Sequence, residues 1–504
     1  MQSNNSFYRA YPDDPDGLVG CATANLMTES QRCIKRVLVA ICNHGTKNQS
    51  FIKQLLNEYR SMTRHDVSIV VLSNIPRDYD EDVEVLVGLP IADPWSLPFG
   101  YKELFASRAT EYDLFIYTED DTLITERNIE AFVEETQILP EKYIAGFMHF
   151  EVLPDGRRNY TGMHSQFHWD PNSVIRFGNS LFAYHTNEHS ACFILTQWQL
   201  RKAIDSGGFM LPPRRGRYDM LVTAATEPYL ECGMKKLICI SRFDDFSLHH
   251  LPNVYLGKLG LDEKLGKLEI NCLETLAQDR RNPPHGPLFE HYPLRDGDAW
   301  NKKYYEDRRD DVLQLVPHDT RRVLSVGCAC GTTEQALVKH GIDVVGIPLD
   351  SIIAASAGTK GIAMLSPDFE KAAKELQGQQ FDCILMMDIL QQLRDPVAIL
   401  RLYNGLLRDG GLLLISVPNW NYVGILRQRC SVRGRASLEC RSTARNKGVH
   451  RTTKSCVTGW LRQSGLSRIT HTLVAESRLE GIRRWTFGLA DELLCRNLLI
   501  TARR

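Results

Sequence analysis

Two stretches of this chain carry residues whose types and spacing could do chemistry. The first is DLFIYTEDDTLI, from Asp113 to Ile124. Leu114, Phe115, Ile116 and Tyr117 form a short apolar run that suits a buried strand, and Glu119, Asp120 and Asp121 follow at once. Adjacent carboxylates repel one another and are costly to bury without partners. A cation relieves that cost, and hard oxygen ligands favour Mg²⁺ or Mn²⁺. At the carboxyl end of a strand, such an ion can also take a diphosphate on its other side. A solvated acidic turn ahead of a helix is the plainer reading of the same residues. The second stretch is RRVLSVGCACGTTEQALVKHG, from Arg321 to Gly341. It reads as strand, glycine loop and helix, in which glycine lets backbone approach a ligand and the helix N-terminus favours polar or anionic groups.

Elements must position the acids. Arg36–Cys42 is an apolar strand, FIKQLLNEYRSM carries a helical stripe and Val67–Asn74 is a second strand. This alternation implies a parallel sheet with ligands at the carboxyl ends of its strands. KELFASRATEYD reads as a helix delivering Lys102 and Arg108 ahead of the acids, to meet donor phosphates or to pair with surface carboxylates. A helix from Tyr218 to Glu231 offers Asp219 and Glu227, two turns apart and near one face. Either suits a base that takes a proton from an attacking hydroxyl. In the strand FSLHH, alternation puts Phe246, Leu248 and His250 on one side and Ser247 and His249 on the other. One of the two histidines is a candidate to complete a metal site.

Residues 33–265 resemble the GT-A class of glycosyltransferases. The resemblance rests on Glu119-Asp120-Asp121 at the family's D-x-D position, on Ser190-Ala191-Cys192, on the helix bearing Asp219 and on His249-His250. It implies that Asp121, Glu119 and one of the two histidines hold the metal, and that Asp120, Lys102 and Arg108 meet a nucleotide-sugar donor. Inverting chemistry would use Asp219 or Glu227 as base; retaining chemistry would not require one.

Residues 266–300 are rich in Pro and Gly and read as a linker, and WNKKYYEDRRDDVLQLV as a helix ending at Pro317. From the glycine loop onward, IDVVGIPLD, FDCILMMDILQQLRDP, GGLLLISVPNW and RNLLITARR supply further strands. Their order is similar to that of class I S-adenosylmethionine-dependent methyltransferases. The resemblance implies that Gly327, Cys328, Gly331, Asp350, Asp368 and Asp388 lie along the cofactor. The chain departs from the pattern at Ser325, where the family has an acid, and at Ala329, where it has glycine. Pro348 replaces the acid expected at the ribose, and Gln391 and Gln392 stand at the place of the motif's usual histidine. Loss of a carboxylate from a ribose costs about 1.5–3 kcal/mol, the usual worth of a hydrogen bond to a charged group.

The expected architecture is therefore α/β with two doubly wound domains: an extended lead-in over 1–32, a GT-A-like domain over 33–265, a linker over 266–300 and a Rossmann-like methyltransferase domain over 301–504. A net charge of −1 gives no reason to propose nucleic acid as a partner. No apolar window reaches the length of a membrane span, and the polar N-terminus is unlike a secretory signal. Fourteen scattered cysteines suit reduced thiols in the cytoplasm. The functional expectation is sugar transfer to a glycan or small-molecule hydroxyl, with the second domain either O-methylating the product through an altered cofactor site or retained in decayed form for folding or acceptor docking. Two alternatives are a methyltransferase with a non-catalytic recognition domain, and a scaffold that binds carbohydrate or nucleotide without catalysis.

Overall fold

The computed structural model describes residues 35–278, 302–430, 450–473 and 491–504. The lead-in expected over 1–32 and most of the linker expected over 266–300 lie outside them.

Apolar β-branched runs build the first sheet. Strands β1 (Lys35–Asn43), β2 (His65–Ser73), β3 (Val83–Val87) and β4 (Leu114–Glu119) are mutually parallel in the order β4-β1-β2-β3. The order reverses between β1 and β4, so the acids at the end of β4 sit at a switch point, where open α/β sheets bind ligands. Helix α1 (Gln49–Ser61) buries Ile52, Leu55, Leu56 and Tyr59, the stripe its sequence advertises. After α2 (Tyr101–Ser107) and β4 come β5 (Thr122–Leu123) and α3 (Glu126–Thr136), which opens with a Thr125–Asn128 capping box. Gly146 divides the run YIAGFMHFEVL, read as one strand, into β6 (Tyr143–Ala145) and β7 (Met148–Val152), which join different sheets. A side chain at Gly146 would strike the stem of Lys236, with a Cβ 2.4 Å from its Cε.

Strands β8 (Arg158–Tyr160), β9 (Ile175–Phe177), β10 (Ser180–Ala183) and β11 (Cys192–Thr196) follow, β11 closing the first sheet antiparallel to β4. Helices α4 (Gln197–Asp205) and α5 (Met220–Leu230) lead to β12 (Lys235–Cys239), β13 (Ser247–His250) and β14 (Leu261–Asp262). Two further sheets run β6-β12-β10-β9 and β14-β8-β7-β13-β5. Helix α6 (Glu263–Gln278) crosses the boundary expected at 265 and buries Gly266, Glu269, Ile270 and Leu273.

In the second half, only α7 (Asp310–Leu313) is helical where a longer helix was expected; residues 302–309 run without helix. Then come β15 (Arg322–Cys328), α8 (Thr332–Lys339), β16 (Asp343–Pro348), α9 (Ser351–Gly358) and β17 (Ala363–Met364). They are followed by α10 (Phe369–Glu375), β18 (Phe381–Met387), α11 (Pro396–Asn404), β19 (Leu407–Pro418), β20 (Ser467–Leu473) and β21 (Asn497–Arg503). The seven-stranded sheet runs β17-β16-β15-β18-β19-β21-β20, with β21 antiparallel to both neighbours. It is a doubly wound sheet whose order reverses between β15 and β18. No helix among the described residues is long and apolar enough to cross a membrane. Cys42, Cys192, Cys239, Cys328, Cys330 and Cys383 are buried free thiols.

The halves interlock. Helix α6 packs on α9, and Ile352 of α9 joins the N-terminal core. Two carboxyls are buried at this seam. The Tyr305 hydroxyl donates to Glu269 at 2.7 Å, while Asp350 caps α9 through the Ile352 and Ile353 amides at 2.8 and 2.9 Å. Burial pushes Glu269 from 4.5 up to about 8 and Asp350 from 3.8 up to about 7, against the opposing pull of these hydrogen bonds. In the unfolded chain both acids lose their protons at lower pH, so the folded state holds more protons between the two values. Stability therefore falls as pH rises from about 4.5 to about 8. Glu269→Gln keeps a partner for Tyr305 and is expected to flatten that decline, read as melting temperature against pH; parallel curves for variant and wild type would contradict the assignment.

Candidate functional site

At the end of β4 the three acids diverge. Asp120 turns inward, accepting from Asn43 Nδ2 at 2.6 Å and Asn48 Nδ2 at 2.7 Å. Burial raises it to about 6 against those two bonds. Glu119 has a buried Oε1 without a partner, and burial, with Asp121 and Asp120 adding repulsion, lifts it to about 8. Asp121 alone reaches the expected imidazole: His250 Nε2 lies 3.7 Å from its Oδ2. The other ring nitrogen of His250 meets Glu151 Oε1 at 2.8 Å, and Glu151, fully buried, also accepts the Tyr255 amide. Burial pulls His250 down, but Asp121 and Glu151 outweigh it and raise its affinity for a proton. Sequence reasoning missed Glu151; its signal was an acid inside the apolar strand MHFEV.

The remaining imidazoles separate by strand alternation. His250 faces His149, with ring centroids 5.9 Å apart, and His149 faces His189 at 6.2 Å. His249 points to the other side, stacked on Phe150 at 5.3 Å, so of the two candidates it is not the one beside Asp121. Among the described residues, no group of three or more His, Cys, Asp or Glu side chains is arranged to hold a metal ion. Asp121 and His250 converge; the two asparagines hold Asp120 apart, and the strand pleat turns His249 to the other side.

The basic and acidic helix residues also need correction. Lys102 is 4% exposed and pairs with Glu227 at 2.5 Å, so it serves as an internal counter-ion and faces no donor. Glu227 is fully buried and pairs with Arg214 as well, which removes it as a base for a solvent-borne hydroxyl. Arg108 pairs with Glu84 of β3 at 2.8 Å, with two strands between that edge and β4. Asp219 caps α5 by accepting the Val222 amide at 3.0 Å and remains exposed. Its charge acts at longer range on both Glu119 and His189.

In the second half, Gly327 (φ +76°) and Gly331 (φ +75°) shape the loop between β15 and α8. A Cβ on Gly327 would lie 2.5 Å from Ile389 Cγ2, and one on Gly331 2.5 Å from Ile362 Cδ1. Ser325, which replaces an acid, donates to Glu334 Oε1 of α8 at 2.6 Å, so a carboxylate returns to this place from another element. Asp388 sits at φ +54°, a conformation that costs a non-glycine residue about 1–3 kcal/mol. It accepts from Ser416 at 2.6 Å and pairs with Arg309 at 3.2 Å. Asp368 caps α10.

The fit to S-adenosylmethionine is incomplete as the chain stands. The whole loop from Gly327 to Gly331 is buried, Cys328 and Ala329 being 1% and 0% exposed. The chain's own segment lies on it: Cys330 N donates to Tyr304 O at 2.9 Å, and Lys302 N to Gln392 Oε1 at 3.2 Å. Asp350, expected along the cofactor, is 1% exposed and committed to α9 with the Tyr304 ring against it. Pro348 at the end of β16 offers no carboxylate. Asp368 is committed to the cap of α10 and Asp388 to Ser416 and Arg309, and the groove in this arrangement is closed to the cofactor.

A family profile described as "Methionine biosynthesis protein MetW" matches residues 306–440. The chain is similar to proteins named ubiquinone biosynthesis O-methyltransferase. One from Cereibacter sphaeroides is 29% identical over 166 residues, spanning 30% of this chain and 64% of that relative. Another from Coxiella burnetii is 29% identical over 171 residues, 33% of this chain and 68% of the relative. Among solved structures, a SAM-dependent methyltransferase from Archaeoglobus fulgidus aligns with 15% identity and a TM-score of 0.30, covering 38% of this chain and 91% of that one. An S-adenosylmethionine-dependent methyltransferase from Mesorhizobium loti aligns with 18% identity and a TM-score of 0.29, covering 38% and 96%. The sequence similarity is to methyltransferases; no glycosyltransferase is among these relatives.

Glu227→Ala leaves the Lys102 ammonium buried without its partner and is expected to cost about 3–5 kcal/mol, whereas Asp219→Ala removes a helix cap worth about 1 kcal/mol. Denaturant unfolding of the two variants checks this; equal losses would contradict the structural role given to Glu227.

Proposed function

We propose that the chain is an S-adenosylmethionine-dependent methyltransferase that methylates an acceptor hydroxyl, with the N-terminal domain recognising the acceptor. The observation that carries this reading is the glycine loop at the point where the C-terminal sheet reverses order, within the residues matched by the family profile. The names of the relatives support oxygen as the methylated atom. The cofactor would supply the electrophilic methyl group. The chain's own part is to hold Asp388 at the end of β18, where the Ser416 hydroxyl donates to it at 2.6 Å.

A second reading, metal-dependent sugar transfer by the N-terminal domain, is favoured by one observation: Asp121 and His250 meet at the end of β4. In it, Asp121 and His250 would contribute two ligands to Mn²⁺ or Mg²⁺, the nucleotide-sugar diphosphate would supply others, and Asp219 would take the acceptor proton.

The two are separated by product. The methyltransferase reading expects S-adenosylhomocysteine to form from S-adenosylmethionine only when a hydroxyl acceptor is present, and to fall about tenfold or more in Asp388→Ala, the loss of one charged hydrogen-bonding group. It expects no change in Asp121→Asn. Release of nucleoside diphosphate from a sugar nucleotide with Mn²⁺, abolished by Asp121→Asn, would establish the second reading, and no S-adenosylhomocysteine across phenolic and glycan acceptors would overturn the first.

A further inference from the structure

We propose that residues 302–309 form a strap occupying the cofactor groove of the C-terminal domain, so that cofactor enters only as the strap lifts. The inference rests on the methyltransferase reading and adds to it a gate controlled by the N-terminal domain.

The strap runs over the carboxyl ends of three central strands. Tyr304 O takes the Cys330 amide at the glycine loop after β15. Arg309 reaches Asp388 after β18 and Ser416 near the end of β19. Lys302 is 1% exposed and donates to Glu306 at 2.9 Å, with the charges of Asp388 and Glu334 also acting on it. Breaking a buried ion pair by removing one partner is costly, so the Lys302–Glu306 pair helps hold the strap in its closed position.

At the other end, the Tyr304 ring is fully buried against Asp350, on the side of the groove where β16 ends. The strap therefore covers both the loop and the neighbouring strand end, and the buried state of Gly327–Gly331 follows from it.

The outer side of the strap belongs to the N-terminal domain. Tyr304 and Tyr305 amides donate to Ser165 O at 2.8 and 2.9 Å, Ser165 itself holding φ +55°. The His168 ring stacks on Tyr304 with centroids 3.9 Å apart and planes within 5°. Lifting the strap breaks these contacts, so acceptor binding that shifts the 165–168 segment changes access to the groove by linkage.

The test uses the full chain and S-adenosylhomocysteine, which carries the cofactor's ammonium and ribose. Calorimetry is expected to show Lys302→Met binding about tenfold or more tighter than wild type, since the competing closed state is weakened. Hydrogen exchange at the Tyr304, Tyr305 and Cys330 amides of the wild type is expected to accelerate at saturating ligand, a readout that stands if Lys302→Met fails to fold. Binding to wild type with those amides still protected overturns the strap while leaving the methyltransferase reading intact, as does Lys302→Met binding no tighter than wild type. Absence of binding to wild type, Lys302→Met and Tyr304→Ala at millimolar ligand overturns both.

Discussion

One short main-chain connection constrains the whole molecule. The two amides of Tyr304 and Tyr305 converge on Ser165 O, and the carbonyl of Tyr304 answers the Cys330 amide. Each hydrogen bond contributes only about 0.5–1.5 kcal/mol net. Their consequence is larger than that, because a buried peptide group left without a partner is costly. Both domains thus depend on a segment that belongs to neither, and the glycine loop that would otherwise face a ligand faces protein.

The acidic end of β4 solves its electrostatic problem in a parallel way. Three neighbouring carboxyls are made tolerable by different means: amide donors for Asp120, proton retention by Glu119, and an imidazole for Asp121 that Glu151 orients. A cation is one further means, and Asp121 and His250 are placed to share in it. Both sites lie where strand order reverses.

Much of this was legible from residue patterns. The continuous apolar runs of β1, β2, β4 and β18 and the 3.6-period helices α1 and α3 appear where their apolar residues demand. Strand alternation correctly set His250 and His249 on opposite faces. The failures share a cause: partners distant in sequence. Arg108 pairs with a surface acid, the alternative its sequence offers, but Lys102 is buried against Glu227, a partner 125 residues on. KKYYEDRRDD has the composition of a helix, yet its amides and carbonyls are claimed by Ser165 and Cys330, so only Asp310–Leu313 coils. The exchange of an acid at Ser325 for Glu334 nine residues on could not be read without knowing that α8 folds back over β15.

A crystal structure of the full chain grown with saturating S-adenosylhomocysteine is expected to hold ligand along the glycine loop, with residues 302–309 displaced and the Tyr304–Cys330 hydrogen bond broken. Ligand bound on that loop with the 2.9 Å contact intact and Lys302 still paired with Glu306 would contradict the strap.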